Sequence, residues 1–155
     1  MNISRRGFLS TSTGIISCTA MGIGLQSCGI GSLLYSSNDI PISESLPIIH
    51  LEQEPLLQKI NGAVKKRFAG LNNGDVVIIV RTSEKHFTAF AAQCTHWGAE
   101  IHFPEKGVFH CPFHGSQFST ENGTVIEGPA EVSLHQYKIV VDEIAQELKL
   151  EENDR

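Results

Sequence analysis

The sequence predicts an all-β domain built mainly from antiparallel strands, and two observations lead to this prediction. The apolar runs after residue 46 are short, and Gly, Asn and Pro interrupt them. No long stretch repeats apolar residues at the 3.6-residue spacing of an amphipathic helix. We therefore expect a small antiparallel β-sandwich that carries its functional residues in loops.

The best-defined strand is predicted at residues 76–80, because every residue there is Val or Ile and the turn sequence Asn73-Gly74-Asp75 precedes it. Residues 87–92 are the expected hairpin partner of this strand. Weaker strands are predicted at 47–51, 56–60, 107–109 and 123–126, and a last hairpin is predicted from 134–141 and 146–150.

Length and composition exclude several classes of protein. The 155 residues suffice for one domain and a leader, but not for two full catalytic domains. Hydrophobic residues make up 41% and charged residues 19% of the chain, as in ordinary globular proteins. The formal net charge is −5 and no basic stripe is present, which argues against nucleic acid as a partner.

Residues 1–28 are predicted to be an export leader. Arg5 and Arg6 precede a run without charged residues that extends from residue 7 to residue 38, the order that is typical of a secretory signal. The string S-R-R-G-F-L at residues 4–9 resembles the twin-arginine export motif, although Ser10 stands where a basic residue is common. The body is therefore expected outside the cytoplasm.

Three alternatives remain open for the end of this leader. The string Leu25-Gln26-Ser27-Cys28 resembles a lipobox, so a lipid on Cys28 would anchor the chain at a membrane surface. The second alternative is an uncleaved membrane span at about residues 14–35, and the third is that Cys28 is an ordinary leader residue. We favour the lipoprotein. Residues 29–45 are predicted to be a flexible linker and residues 46–155 the domain.

Two short segments of the body each combine one cysteine with one histidine. They are C-T-H, which contains Cys94 and His96, and C-P-F-H, which contains Cys111 and His114. Thiolate and imidazole ligands suit both zinc and iron–sulfur clusters. Zinc fingers usually pair Cys with Cys and then His with His, so the mixed order favours a two-iron cluster in which two histidines replace two cysteines.

The pattern C-x-H followed by C-P-x-H-G-S resembles the signature of the Rieske family, and the resemblance extends from about residue 46 to the C-terminus. It implies a Rieske-type sandwich with a loop-built subdomain that binds one [2Fe–2S] cluster. It assigns the ligands as follows: Cys94 and Cys111 on the buried iron, and His96 and His114 on the outer iron.

The resemblance also assigns residues around the cluster. Ser116 of H-G-S is expected to donate a hydrogen bond to a bridging sulfide, whereas Phe118 stands where one branch of the family has a hydrogen-bonding tyrosine. Cysteines that form a disulfide in the cytochrome-bc-type branch correspond to Ala99 and Phe113, so that disulfide cannot form here. Because one donor is missing, we expect a reduction potential between those of the quinol-oxidising group and the oxygenase ferredoxins.

Three further residues are expected near the cluster. Gly115 belongs to the second binding motif, and Pro129 lies in Gly128-Pro129-Ala130, which resembles the proline-bearing loop that covers the cluster in the family. Trp97 is expected either to shield the cluster or to be a core aromatic residue. The other histidines have no ligand-like spacing and are taken as surface or strand residues; they are His50, His86, His102, His110 and His135.

Together these features imply a membrane-tethered one-electron carrier that is a redox subunit rather than an enzyme by itself. Expected partners are the subunits of a quinol- or substrate-oxidising respiratory complex, such as cytochrome or molybdenum subunits. The alternative is a ferredoxin-like electron donor to an oxygenase or another enzyme. A structural zinc module is the third hypothesis, and the order of the ligands disfavours it.

Overall fold

The computed structural model describes residues 40–44 and 46–153. The predictions for Arg5, Arg6 and Cys28, and most of the predicted linker, lie outside these residues. Ten strands are present in the described part: β1 (Ile42–Ser43), β2 (Ile48–His50), β3 (Ala63–Phe68), β4 (Val76–Arg81), β5 (Phe87–Ala91), β6 (Val108–His110), β7 (Gln117–Ser119), β8 (Val125–Glu127), β9 (Gln136–Asp142) and β10 (Glu147–Glu151).

These strands form two sheets, which confirms the all-β prediction. The larger sheet has seven strands in the order β1-β3-β4-β5-β9-β10-β2, and the smaller sheet has the order β6-β7-β8. Neighbouring strands are antiparallel except for the short parallel pair β1–β3. Because β1 pairs with β3, the larger sheet begins inside the range that the sequence assigns to the linker.

Strand β4 is buried on both faces, which explains its unbroken run of Val and Ile. Val76, Ile78 and Val80 contribute to a first core, which also contains both Cys94 and Cys111. Val77 and Ile79 point the other way into a second core, as the two-residue side-chain period of a strand requires. The first core therefore joins the larger sheet to the loops that carry the cysteines.

Most of the predicted strands are confirmed, but the one at residues 56–60 is wrong. A 3₁₀ helix occupies Pro55–Gln58 instead, because Pro55 fixes φ near the helical value and has no N–H to donate to a strand neighbour. Two further short 3₁₀ helices lie at Leu51–Gln53 and Asn72–Gly74. Strand β3 was missed because the basic run Lys65, Lys66 and Arg67 interrupts its apolar pattern.

Candidate metal centre

The two cysteine–histidine segments fold into loops with the same backbone hydrogen bonds. In the first loop, residues 94–99, the N–H of Gly98 donates to the carbonyl of Cys94 over 2.8 Å, and the N–H of Cys94 donates to the carbonyl of Ala99 over 2.7 Å. In the second loop, residues 111–116, Gly115 donates to Cys111 over 3.1 Å, and Cys111 donates to Ser116 over 2.8 Å.

A glycine with positive φ stands at the fifth position of each loop. The φ angle is 75° at Gly98 and 79° at Gly115. This left-handed conformation is strained for residues with a side chain and is freely available to glycine. Gly115 therefore contributes through its backbone, since it lets the chain reverse and present the preceding His114.

The strands bring these two loops together with a third. The first loop follows β5, and a bridge between Gln93 and Glu100 closes it. The second loop joins β6 to β7, and the third, residues 128–134, follows β8. The third loop contacts both others, because Thr95 donates to the carbonyl of Val132 over 2.5 Å and the N–H of Ala130 donates to the Ser116 hydroxyl over 3.0 Å.

The loops bring the four predicted ligands together as two pairs. Cys94 and Cys111 are buried free thiols, whereas His96 is half-buried and His114 is exposed. The two imidazole rings lie 4.8 Å apart between centroids. The arrangement therefore has an inner cysteine pair and an outer histidine pair.

Burial and backbone N–H groups act on Cys111 in opposite directions. Burial raises the pKa of the Cys111 thiol, and a hydrogen bond with Cys94 adds to this rise. The backbone N–H groups of Phe113 and His114 lower the same pKa because they donate to the sulfur. Those N–H groups would stabilise negative charge on a coordinated thiolate in an otherwise apolar site.

His96 has a buried nitrogen atom that a bound metal would satisfy. Its Nδ1 atom is buried and, among the described residues, it has no hydrogen-bond partner. Buried polar atoms in folded proteins normally have partners, so an atom of this kind requires an explanation. Coordination to a metal would supply the missing partner.

The pairing of the ligands fits a two-iron cluster. Cys94 and Cys111 form one buried pair, and His96 and His114 form a second pair whose ring centroids lie 4.8 Å apart. A [2Fe–2S] cluster of this type takes two cysteines on one iron and two histidines on the other, which matches the observed pairs.

Three of the side chains expected near the cluster, those of Ser116, Phe118 and Trp97, have different environments. Ser116 is fully buried, and since its oxygen accepts from Ala130, its own proton remains available to a further acceptor. Phe118 is buried opposite Phe109 in the smaller sheet. Trp97 is 76% exposed, so the core alternative for this residue is wrong.

Phe113 is an exposed neighbour of the ligands that the sequence pattern did not identify. The Phe113 side chain is exposed, and its ring centroid lies 6.2 Å from that of His114. The Trp97 ring lies 5.5 Å from the same imidazole. An aromatic residue next to a ligand in each motif was the available signal, but the sequence could not tell whether it pointed inward or outward.

Comparisons with known proteins identify one family and several similar proteins. The family model of the Rieske [2Fe-2S] domain matches residues 57–138 of this chain. The cytochrome b6-f complex iron-sulfur subunit of Chlorobaculum tepidum is 38% identical over 72 residues, which cover 46% of this chain and 39% of that protein. The corresponding subunit of Prochlorococcus marinus subsp. pastoris is 39% identical over 75 residues, covering 46% and 42%. The matched segment thus spans less than half the length of these relatives.

Two solved structures are also similar. The plasma membrane Rieske protein PetC3 from Synechocystis PCC 6803 has a TM-score of 0.50 and 27% identity, and the match covers 58% of this chain and 86% of that one. The ferredoxin of carbazole 1,9a-dioxygenase from Nocardioides aromaticivorans IC177 has a TM-score of 0.52 and 22% identity, with 72% and 100% covered. The ferredoxin supports the fold alone.

Proposed function

Since this chain belongs to the Rieske [2Fe–2S] family, we propose that it is a membrane-tethered protein that transfers single electrons between partner proteins. Its cofactor is a [2Fe–2S] cluster, which cycles between two oxidation states one electron apart. We assign the cluster ligands to Cys94, His96, Cys111 and His114. The observation that supports this assignment best is the separation of a buried cysteine pair from an outer histidine pair.

The chain's residues would give the cluster one protected side and one accessible side. Cys94 and Cys111 belong to the first core, which keeps water from the sulfur ligands. The exposed His114 would place its iron next to the protein surface. Electrons would therefore enter and leave on the histidine side, where a partner can approach.

We define the exit face as Trp97, Phe113 and His114. Trp97 and Phe113 are exposed by 76% and 69%, and both rings lie next to the His114 imidazole. Exposed aromatic residues commonly mark surfaces where another protein docks. A partner covering this face would exclude water and approach the His114 ring directly.

Replacing Trp97 with serine should slow electron transfer to a soluble c-type cytochrome by about tenfold. The loss of apolar area in the encounter complex would cost about 1.4 kcal/mol. The second-order rate constant from stopped-flow reduction measures this effect. Ile144→Ser is the matched control, since Ile144 is 98% exposed in the loop between β9 and β10. Equal rate constants for the two variants would contradict docking at the exit face.

The tether is proposed from the sequence of the leader. Arg5 and Arg6 precede an uncharged run that contains the lipobox-like cysteine Cys28. The similarity to the plasma membrane Rieske protein supports a membrane location. In the described part, no helix is sufficiently long and apolar to span a membrane. Residues 29–41 would connect a lipid-bearing Cys28 to β1, which begins at Ile42. When fully extended, these 13 residues would reach about 45 Å.

Substituting Cys28 with serine should abolish lipid attachment and leave the leader unprocessed. Cell fractionation and intact-mass analysis of the purified chain measure both effects. In parallel, replacing Arg5 and Arg6 with lysines should retain the folded, cluster-loaded protein in the cytoplasm. A Cys28→Ser chain that is still processed and lipidated would contradict the lipoprotein proposal. Normal export of the double-lysine variant would contradict the twin-arginine route.

A second candidate function is that of a ferredoxin-like donor to an oxygenase or another enzyme. It is favoured by Ala99 and Phe113, which occupy the positions of the disulfide cysteines of the cytochrome-bc-type branch. A reduction potential near the lower end of the Rieske range of roughly −150 to +300 mV would support this alternative. A potential in the upper half of that range would support a respiratory partner instead.

A further inference from the structure

Lys65 is a nearly buried lysine that contacts the residues directly after the first loop, residues 94–99, which we call the first cluster loop. Its side chain is 7% exposed, and its ammonium group lies 2.6 Å from Glu100 Oε1. The same group donates to the carbonyl of Ile101 over 2.7 Å, and it lies 4.9 Å from the centroid of the Phe103 ring. An ammonium group desolvated to this degree requires such partners, so this contact is a defined part of the fold.

These partners lie where the first loop returns to the larger sheet. Glu100 bridges Gln93, and this bridge closes the loop that carries Cys94 and His96. Lys65 belongs to β3, whose alternate residue Ala63 faces the first core, the core that contains both cysteines. The ion pair therefore joins the larger sheet to the end of the ligand loop, on the side of the sheet that faces the proposed cluster.

The beginning of the same loop is held by a second side chain. The Asn72 amide donates over 3.0 Å to Gln93 Oε1 and over 3.0 Å to the carbonyl of Val76. Both residues of the closing bridge, Gln93 and Glu100, thus have a side-chain partner: Asn72 in the 3₁₀ helix between β3 and β4, and Lys65 in β3. The loop is fixed at its two ends, and only one of these attachments carries charge.

We propose that Lys65 and Glu100 are positioning residues that hold the first cluster loop and set the reduction potential by balancing charge beside it. This inference rests on the proposed ligand set. Reduction adds one negative charge to the cluster, and charges interact strongly in a weakly polar interior. An intact Lys65–Glu100 pair contributes no net charge there, whereas either residue alone would contribute a full charge.

The two single substitutions should therefore shift the potential in opposite directions. Lys65→Met leaves the Glu100 carboxylate unbalanced, which should disfavour reduction and lower the potential. Glu100→Gln leaves the Lys65 ammonium unbalanced, which should favour reduction and raise it. Glutamine also retains an acceptor oxygen for Lys65, so this variant changes the charge with little change in shape. A link that was only structural would shift both potentials in the same direction.

Protein-film voltammetry on full-length, cluster-loaded chains tests the proposal, with EPR of the reduced state as a second measurement. Lys66→Met is the matched control, because Lys66 is the next residue of β3, pairs with Glu54, and has a side chain that is 37% exposed. We expect opposite shifts for Lys65→Met and Glu100→Gln, an intermediate potential for the double variant, and the parent potential for Lys66→Met. Amide exchange at Cys94 and Gly98 should be faster in Lys65→Met than in Lys66→Met.

Shifts of the same sign, unchanged potentials in both single variants, or an equal shift in Lys66→Met would overturn the proposal. Should Lys65→Met fail to load a cluster, the rise expected for Glu100→Gln still decides the electrostatic part. Failure of this inference is distinguishable from failure of the proposed function. A parent chain with a [2Fe–2S] spectrum and unresponsive variants contradicts the inference alone, whereas a parent chain without the cluster contradicts the function.

Discussion

Replacing Cys111 with alanine should yield a folded chain that carries neither iron nor acid-labile sulfide. Cys111 supplies one of two thiolates to the buried iron in the proposed ligand set, and alanine has no donor atom. The cost to the apo fold should be small, about 1 kcal/mol, because only one buried sulfur atom is removed. Metal and sulfide analysis, together with the visible spectrum, measures the loss, and circular dichroism checks that the strands remain.

His110→Ala is the matched control for this experiment, because His110 precedes Cys111 directly and ends β6. It lies outside the proposed ligand set, so this variant should keep a full cluster. His96→Ala should lose the cluster as Cys111→Ala does, since its buried Nδ1 has no protein partner in the described residues. Retention of two irons and two sulfides by Cys111→Ala would show that the assigned ligands are wrong.

Ser116→Ala should lower the reduction potential by about 20–65 mV. The Ser116 oxygen accepts from the N–H of Ala130 over 3.0 Å, which leaves the hydroxyl proton free to donate to the cluster. A hydrogen bond that strengthens on reduction is worth about 0.5–1.5 kcal/mol, and for one electron this energy corresponds to about 20–65 mV. Protein-film voltammetry measures the shift.

Ser119→Ala is the control for this prediction. Ser119 lies three residues further along, in β7, and its hydroxyl accepts from the N–H of Glu121 over 3.2 Å. Its removal should leave the potential unchanged. The same potential in Ser116→Ala and in the parent chain would mean that burial and backbone N–H groups set the potential without this hydroxyl.

The two loops that carry the proposed ligands could be predicted from sequence because each loop is encoded locally. A cysteine, a histidine and a glycine within five residues determine the turn, since the glycine provides the positive φ that closes it. The pairing of Cys94 with Cys111 could not be derived in this way. It depends on packing of the two sheets around the first core, and the family resemblance supplied it.

The errors in the fold prediction have identifiable causes. Strand β3 was missed because Lys65 breaks its apolar pattern, and this lysine is buried against Glu100, which is 35 residues away in sequence. The strand predicted at residues 56–60 failed because Pro55 begins a 3₁₀ helix there. The exposure of Trp97 was undecidable, since an aromatic residue beside a ligand can face the core or solvent. In the two strand errors, a tertiary contact and the backbone geometry of Pro55 overrode the local apolar pattern.

Metal analysis of the full-length chain tests the proposal that Cys94, His96, Cys111 and His114 hold one [2Fe–2S] cluster. We expect about two irons and about two acid-labile sulfides per chain, with an EPR signal in the reduced state that shows histidine coordination of one iron. One zinc ion per chain without sulfide would contradict the claim.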